Sequence, residues 1–385
     1  MFRNIKILSS LLALLLLLGQ CKETYISPYK SPTTGYLVVE GYIAKGPTSF
    51  TLSRVIALPG DSALPAVRGA SVQVEGSDNS VYPLAETGIG VYSADTLPLN
   101  PTAKYRLRIT TGSDTYLSDL VEYKTTPPID SINWIRDPSG VNIYVNTHDP
   151  AGNTRYYQWD YQETWQYTSA EFSAYRFKAQ SAHDGSDSVV ARADSEYVYN
   201  CYRNRASTVL FLGTSTKLAQ DEIYRQPLTF ISSARQELSV LYSINVKQYA
   251  LTKEAYEFLS LMKANTESLG SIFDAQPSEL RGNIHSLTHP EEPVVGYISA
   301  GSIQQQRMFI SQTQVPGWGY FFACDHPDHL VVPDSLDFYF KADMFTPLAR
   351  QYGQFGFIGW TGNYMLCVDC TVQGGTTKKP SFWPY

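Results

Sequence analysis

The sequence predicts a mainly β fold: an immunoglobulin-like β-sandwich followed by a larger β-rich domain that contains one α-helix. Three observations predict it. Short runs of β-branched and aromatic residues recur between Gly, Pro, Asp and Asn from residue 36 onward. The 28 Tyr and 17 Phe, set against 17% charged residues, supply side chains that suit half-buried pleated surfaces. Clean helical spacing occurs in one stretch, late in the chain. A length of 385 residues favours two domains over one.

The elements follow in order. Residues 1–20 have the layout of a secretory signal, with Arg3 and Lys6 ahead of the apolar run Ile7 to Leu18. That run is too short to span a bilayer. Leu18-Gly19-Gln20-Cys21 resembles a lipobox, with Gln20 standing where a small residue is usual, and it nominates Cys21 for lipidation. Acyl chains contribute about 0.8 kcal/mol per buried methylene, so several chains on one cysteine fasten a protein to a membrane. Residues 21–35 are polar, with Pro28 and Pro32, and read as a lipidated tether.

From Tyr36 seven short strands are expected, at Tyr36 to Ala44, Thr48 to Arg54, Ala70 to Glu75, Val81 to Ala85, Gly90 to Ala94, Lys104 to Thr111 and Thr115 to Tyr123. That number and spacing predict a sandwich over 36–126. Tyr105, Leu107 and Ile109 alternate with Lys104, Arg106 and Arg108, which gives the strand one inward and one wet face. Pro127-Pro128 removes two ladder donors and marks the domain boundary.

In 127–385, Ser131 to Arg136 and Val141 to Thr147 read as a hairpin turning through Asp137-Pro138-Ser139-Gly140. Further strands are expected at Arg155 to Tyr167, Glu196 to Tyr202, Thr208 to Leu212, Glu237 to Leu251, Pro293 to Ala300 and Arg307 to Ser311, with Ser181 to Asp194 as a loop. The helix is placed at 253–265. Thr252 caps it, and Ala255, Phe258, Leu259 and Met262 share one face.

The charge is −6, and loss of Arg3 and Lys6 with the leader makes it two units more negative. With no Lys/Arg cluster either, nucleic acid is excluded as a partner. Four cysteines remain after Cys21: Cys201, Cys324, Cys367 and Cys370. In an exported chain an even number is expected to pair. The first expectation is a local Cys367–Cys370 bridge with Cys201 joined to Cys324; crossed pairing is the second and a metal site the third. A zinc ribbon would want a second CxxC, which the sequence lacks.

His285 and His289, and His326 and His329 with Asp325 and Asp328, have ligand-like spacing, but Pro290 and Pro327 disfavour helices there. Hydrated loops are the first expectation and a calcium or zinc role at Asp325 to His329 the second, and no metal ligand or cofactor is nominated. Gly-x-Ser-x-Gly, P-loop and HExxH motifs do not occur, so no catalytic residue is nominated. The aromatic run around Tyr157, Trp159, Tyr161 and Trp165 is the most distinctive stretch. Its first reading is a core strand; its second is an exposed aromatic binding surface for sugar, peptide or a barrel protein.

Several stretches together resemble a lipoprotein family of Bacteroidetes, domain of unknown function 4249. They are Tyr156 to Trp165, Tyr242-Ser243-Ile244 through Leu251, Gly270 to Asp274 with Gln276-Pro277-Ser278 and Gly282-Asn283, and Cys367-Val368-Asp369-Cys370 with Gly374-Gly375 and Lys379 to Trp383. Upstream, Leu37 to Gly41 and Pro127 to Ile132 fit as well. The resemblance implies an outer-membrane, cell-surface lipoprotein, encoded beside a TonB-dependent receptor and serving as its binding or accessory subunit. It implies no catalytic activity and carries over no active-site residue. Two other classes stay open: a surface enzyme acting on glycan or peptide, and a structural envelope protein.

Overall fold

The computed structural model describes residues 35–55, 65–178, 188–267, 281–322, 324, 328–341 and 344–384. The leader, Cys21 and the tether lie outside the described residues, as do Gly270 to Ser278 and Asp325-His326-Pro327.

The fold is mainly β, as the composition and spacing predict. The seven strand runs of the first region all form, at Leu37–Gly41 with Ile43–Ala44, Gly46–Arg54, Ser71–Gly76, Val81–Gly88, Val91–Leu97, Lys104–Thr111, and Asp114–Ser118 with Val121–Lys124. They pair into one nearly closed sheet. Its two ends, Leu37–Gly41 and Ile43–Ala44, are consecutive in the chain, so a single kink at Gly41-Tyr42 carries the backbone from one end of the sheet to the other.

That closure uses residues from far along the chain. Ala300–Gly301 runs parallel to both Ile43–Ala44 and Val121–Lys124, Ile284–Ser286 pairs with Asp114–Ser118, and Val295 bridges Val38. Ile284, Val294, Ile298 and Ala300 sit in the same core as Leu37, Phe50, Tyr92 and Tyr105. The first body is therefore built from the described residues of 37–124 together with 283–301, which a division at 126 alone does not capture. Gly296 makes the return possible. With φ +141° it occupies backbone space that a side chain avoids, and a Cβ there would come within 2.3 Å of the Val39 carbonyl.

Thr125 to Pro128 carries no strand, in keeping with its prolines. Beyond it the chain starts a second sandwich. One layer holds Ile129–Asp137, Gly140–His148 and Glu222–Ser232; the other holds Tyr156–Thr168 with Asn200–Ala206, Phe211–Thr214, Leu241–Ala250 and Ile303–Ser311. Their inward faces share one core of Ile143, Val145, Leu228, Trp159, Tyr242 and Ile244, among others. The turn at residues 137–140 is tied by the Asp137 carboxylate, which accepts from the Ser139 and Gly140 amides.

The helix spans Lys253–Glu267, and the Thr252 hydroxyl accepts the Ala255 amide at 3.2 Å, the cap expected there. Pro293 to Ser299 forms no regular strand: it meets the edge of the first sheet at separate points, through the Val295 bridge to Val38 and through the Ser299 carbonyl, which accepts the Ile43 amide. In the expected loop 181–194, Ser188–Ala191 is instead a strand paired with Tyr175–Lys178. A hairpin of Phe345–Gly353 and Gly356–Tyr364 follows, with its own small core at Val331, Phe340, Phe345 and Trp360.

Both disulfides are crossed: Cys201 joins Cys370 and Cys324 joins Cys367. This corrects the expected local bridge. Met365–Val368 is one helical turn and Cys370–Gln373 a separate 3-10 turn, with Asp369 in extended conformation between them. Cys367 and Cys370 thus leave the chain in different directions, one to each partner.

Candidate ligand-binding site

The long strand Tyr156–Thr168 has two faces with different fates. Tyr157 and Trp159 point into the second core and are fully buried; Gln158 and Asp160 point the other way. On the neighbouring strand, Lys247 lies opposite Asp160 and Tyr249 opposite Gln158. These four side chains form one wall of a cavity of about 680 Å³ at the junction of the two sandwiches.

The remaining walls come from the first body and the helix. Val38 to Tyr42, Ser49, Ser93 and Asp95 contribute one side, Val295 to Tyr297 another, and Phe258, Leu259 and Met262 line it from one helix face. Tyr42 meets Tyr249 edge-on at 5.1 Å, and Phe258 packs on Tyr297 at 5.3 Å. The Tyr249 hydroxyl donates to Asp160 Oδ2 at 2.6 Å. Burial, and then the Asp160 charge, push the Tyr249 phenol well above its ordinary range, so it stays a neutral donor. The Tyr42 hydroxyl is buried beside Gly301 with no hydrogen-bond partner among the described residues, and burial raises its pKa strongly.

Charge in the cavity is uneven. Among the described residues, Glu40, Asp95 and Asp160 line it against one cation, Lys247. Glu40 and Asp95 are exposed at its edge, and among the described residues neither has an ion pair or side-chain hydrogen bond. Lys263, one residue beyond the lining Met262, donates to the Leu210 carbonyl and lies 6.0 Å from the Phe211 ring centroid.

A second, polar pocket of about 580 Å³ is lined by His148 to Gly152, Arg155 and Ala219 to Glu222. Two of its carboxylates are engaged, although Asp221 Oδ2 is buried without a partner among the described residues. Asp149 accepts the amides of Ala151, Asn153 and Thr154, and Asp221 accepts the hydroxyls of Tyr157 and Ser215. His148 faces Asp130 at 2.8 Å; that hydrogen bond and charge raise its pKa.

The aromatic run proves to be core. Tyr157, Trp159 and Trp165 are buried, and Tyr161 is half-buried against Phe211, so these residues do not form the exposed binding surface that was the second expectation. Each polar end finds an internal partner: Trp159 Nε1 donates to Gln248, and Trp165 Nε1 to Gln236. Glu163 and Glu237, both buried, are held by Arg205, which lies over the Trp165 ring.

The histidines are dispersed: His285 meets Asp119, His289 meets Asp114, and His329 packs on Phe345. Among the described residues no group of three or more His, Cys, Asp or Glu is gathered for a metal. No described helix is long and apolar enough to cross a membrane.

Two features were not anticipated from the sequence. The cavity had one legible signal, the polar Gln158 and Asp160 alternating with buried aromatics, but its other walls come from residues up to 145 positions away. The second is the hairpin tip. Tyr352, Phe357, Trp360 and Tyr175 follow one another as neighbouring rings, from a nearly buried Trp360 out to the two-residue turn Gln354-Phe355, where Phe355 is 97% exposed.

No curated protein matches this sequence. Among solved structures, 58% of the chain aligns with 90% of a chain from "Complete structure of manganese lipoxygenase of Gaeumannomyces graminis and partial structure of zonadhesin of Komagataella pastoris". The identity is 13% and the TM-score 0.16, a likeness too slight to bear on fold or activity. The family described as Domain of unknown function (DUF4249) matches over residues 23–307, most of the molecule and both sandwiches, and the chain belongs to that family.

Proposed function

We propose that this protein is a lipoprotein of the outer membrane, held at the cell surface through acylated Cys21, that acts as a binding or accessory subunit of a TonB-dependent receptor. The observation that carries the binding role is the cavity of about 680 Å³ at the junction of the sandwiches, a size and mixed lining typical of small-ligand seats. The lipobox-like Leu18 to Cys21 and the polar stretch after it support the anchorage. The receptor-facing surface in this reading is the hairpin tip, where Tyr352, Phe355, Phe357 and Ile358 are all exposed.

Metabolic labelling with palmitate tests the anchor: the wild type takes up label and Cys21→Ser does not. Gentle detergent extraction of the tagged protein then tests the partnership. Recovery of a barrel receptor is the expected result; repeated extraction without one overturns the accessory role. Ser49→Trp, at an exposed wall position, should block the cavity without disturbing either core. A blocked protein that supports ligand uptake as well as the wild type removes the cavity from the function.

A further inference from the structure

We infer that the junction cavity takes an organic cation on an apolar stem, such as the guanidinium or ammonium side chain of a short peptide. This rests on the reading of the cavity as a ligand seat and adds the chemistry of the ligand.

The lining carries three carboxylates against one ammonium. An anionic ligand would meet Glu40 and Asp95 at the edge and Asp160 on the wall, with Lys247 as its single attractive contact. A cation meets the opposite balance, and the uncommitted mouth carboxylates also raise its encounter rate. Asp160 is the natural end point. One of its oxygens is held by the Tyr249 hydroxyl, which fixes the carboxylate's orientation and leaves Oδ1 to accept from a ligand. Asp160 and Lys247 are paired in register, yet among the described residues no close ion pair joins them.

The stem requirement follows from the other walls. Phe258, Leu259 and Met262 give an apolar face, and the sulfur-bearing, unbranched Met262 adapts to varied shapes. Tyr42, Tyr249, Phe258 and Tyr297 line it as well, and aromatic rings attract a nearby cation through their quadrupoles. A sugar is served less well. Tyr42 and Tyr249 meet at 63° and Phe258 is only 7% exposed, so these rings make no flat open platform on which a pyranose could stack.

The test titrates three probes into the mature full chain by calorimetry: acetyl-Phe-Arg-amide, acetyl-Phe-citrulline-amide and maltotriose. Citrulline keeps the size and planarity of arginine and removes its charge. The arginine peptide is expected to bind about tenfold tighter than the citrulline peptide, with an advantage that shrinks in high salt. Asp160→Asn should abolish that advantage and Glu40→Gln with Asp95→Asn should reduce it, while Ser49→Trp should weaken both peptides alike. Unchanged thermal unfolding of each variant confirms that it folds. Equal affinity for the two peptides, or tighter binding of maltotriose, overturns the charge inference and leaves the cavity as a ligand seat. Binding of none of the three up to about 1 mM overturns both.

Discussion

Single residues bear unequal weight in this fold, and Gln248 bears much of it. Its side chain is fully buried and makes three hydrogen bonds: it accepts from Trp159 Nε1 at 2.8 Å and donates to the Pro127 carbonyl at 2.8 Å and the Thr147 hydroxyl at 2.9 Å. One amide thus ties the boundary prolines to both layers of the second sandwich. Gln248→Leu keeps the volume and removes the partner of Trp159 Nε1 and of the Pro127 carbonyl, while Thr147 keeps its bond to the Pro128 carbonyl, which should destabilise the protein by about 2–3 kcal/mol in urea unfolding. Two other residues set a pH window. Asp130 raises the His148 pKa above 6.5, so that pair stabilises fully below 6.5 and loses its effect as pH rises through the folded value. Burial opposes ionisation of Glu75, yet hydrogen bonds from Arg108 and Arg106 hold its pKa below 4.5, so its contribution is present above 4.5 and lost as pH falls through the folded value. Stability from these two groups should peak between pH 4.5 and 6.5. In melts across pH, His148→Ala should flatten the alkaline side of that peak and Glu75→Gln the acid side.

At the scale of elements, the hairpin Phe345–Gly353 and Gly356–Tyr364 stands apart. Its base is anchored by Trp360 and Phe345 in a small core, whereas its turn exposes a phenylalanine that contributes nothing to packing. Phe355→Ser should therefore leave the melting temperature within about 1 °C of the wild type, since surface changes away from packed groups are nearly neutral. It should also markedly reduce recovery of the receptor partner. Full recovery by the serine variant would remove the tip from the interface. The disulfides act at the same scale: Cys201–Cys370 spans 169 residues and fastens the C-terminal turns to the edge strand Asn200–Ala206. Nearby, Tyr167 donates to the Cys370 carbonyl, and a Cβ on Gly375 would strike that phenol, so Gly375 is a packing requirement, whereas Gly374, at φ +85°, meets a backbone one.

For the whole molecule, the governing feature is the return of residues 283–301 to the first body. Asn283, buried, exchanges two hydrogen bonds with the Ile298 backbone inside the returning segment, its carbonyl accepts the Asp119 amide, and Thr126 donates two to Ser302, so the segment is fastened at both ends. A fragment of residues 36–126 lacks four members of its own core and the strand that completes its sheet. It should show little dispersion in an amide NMR spectrum, and a synthetic peptide of residues 281–302 should restore it. A well-dispersed spectrum from the fragment alone would mean that the returning segment is dispensable.

By itself the sequence determined the local structure. Seven strand runs, the 137–140 turn, the capped helix at Lys253 and the oxidised state of the cysteines followed from alternation, turn chemistry and compartment, all of which act over a few residues. The strand Glu222–Ser232 and the hairpin after Phe345 escaped notice because their apolar residues do not alternate cleanly. Tertiary structure alone decided which cysteines paired, that residues 283–301 close the first sheet, and that Glu40, Asp160, Phe258 and Tyr297 meet around one cavity. The reason is physical: period and propensity say which face of a strand is buried, and only the packing of distant segments says against what.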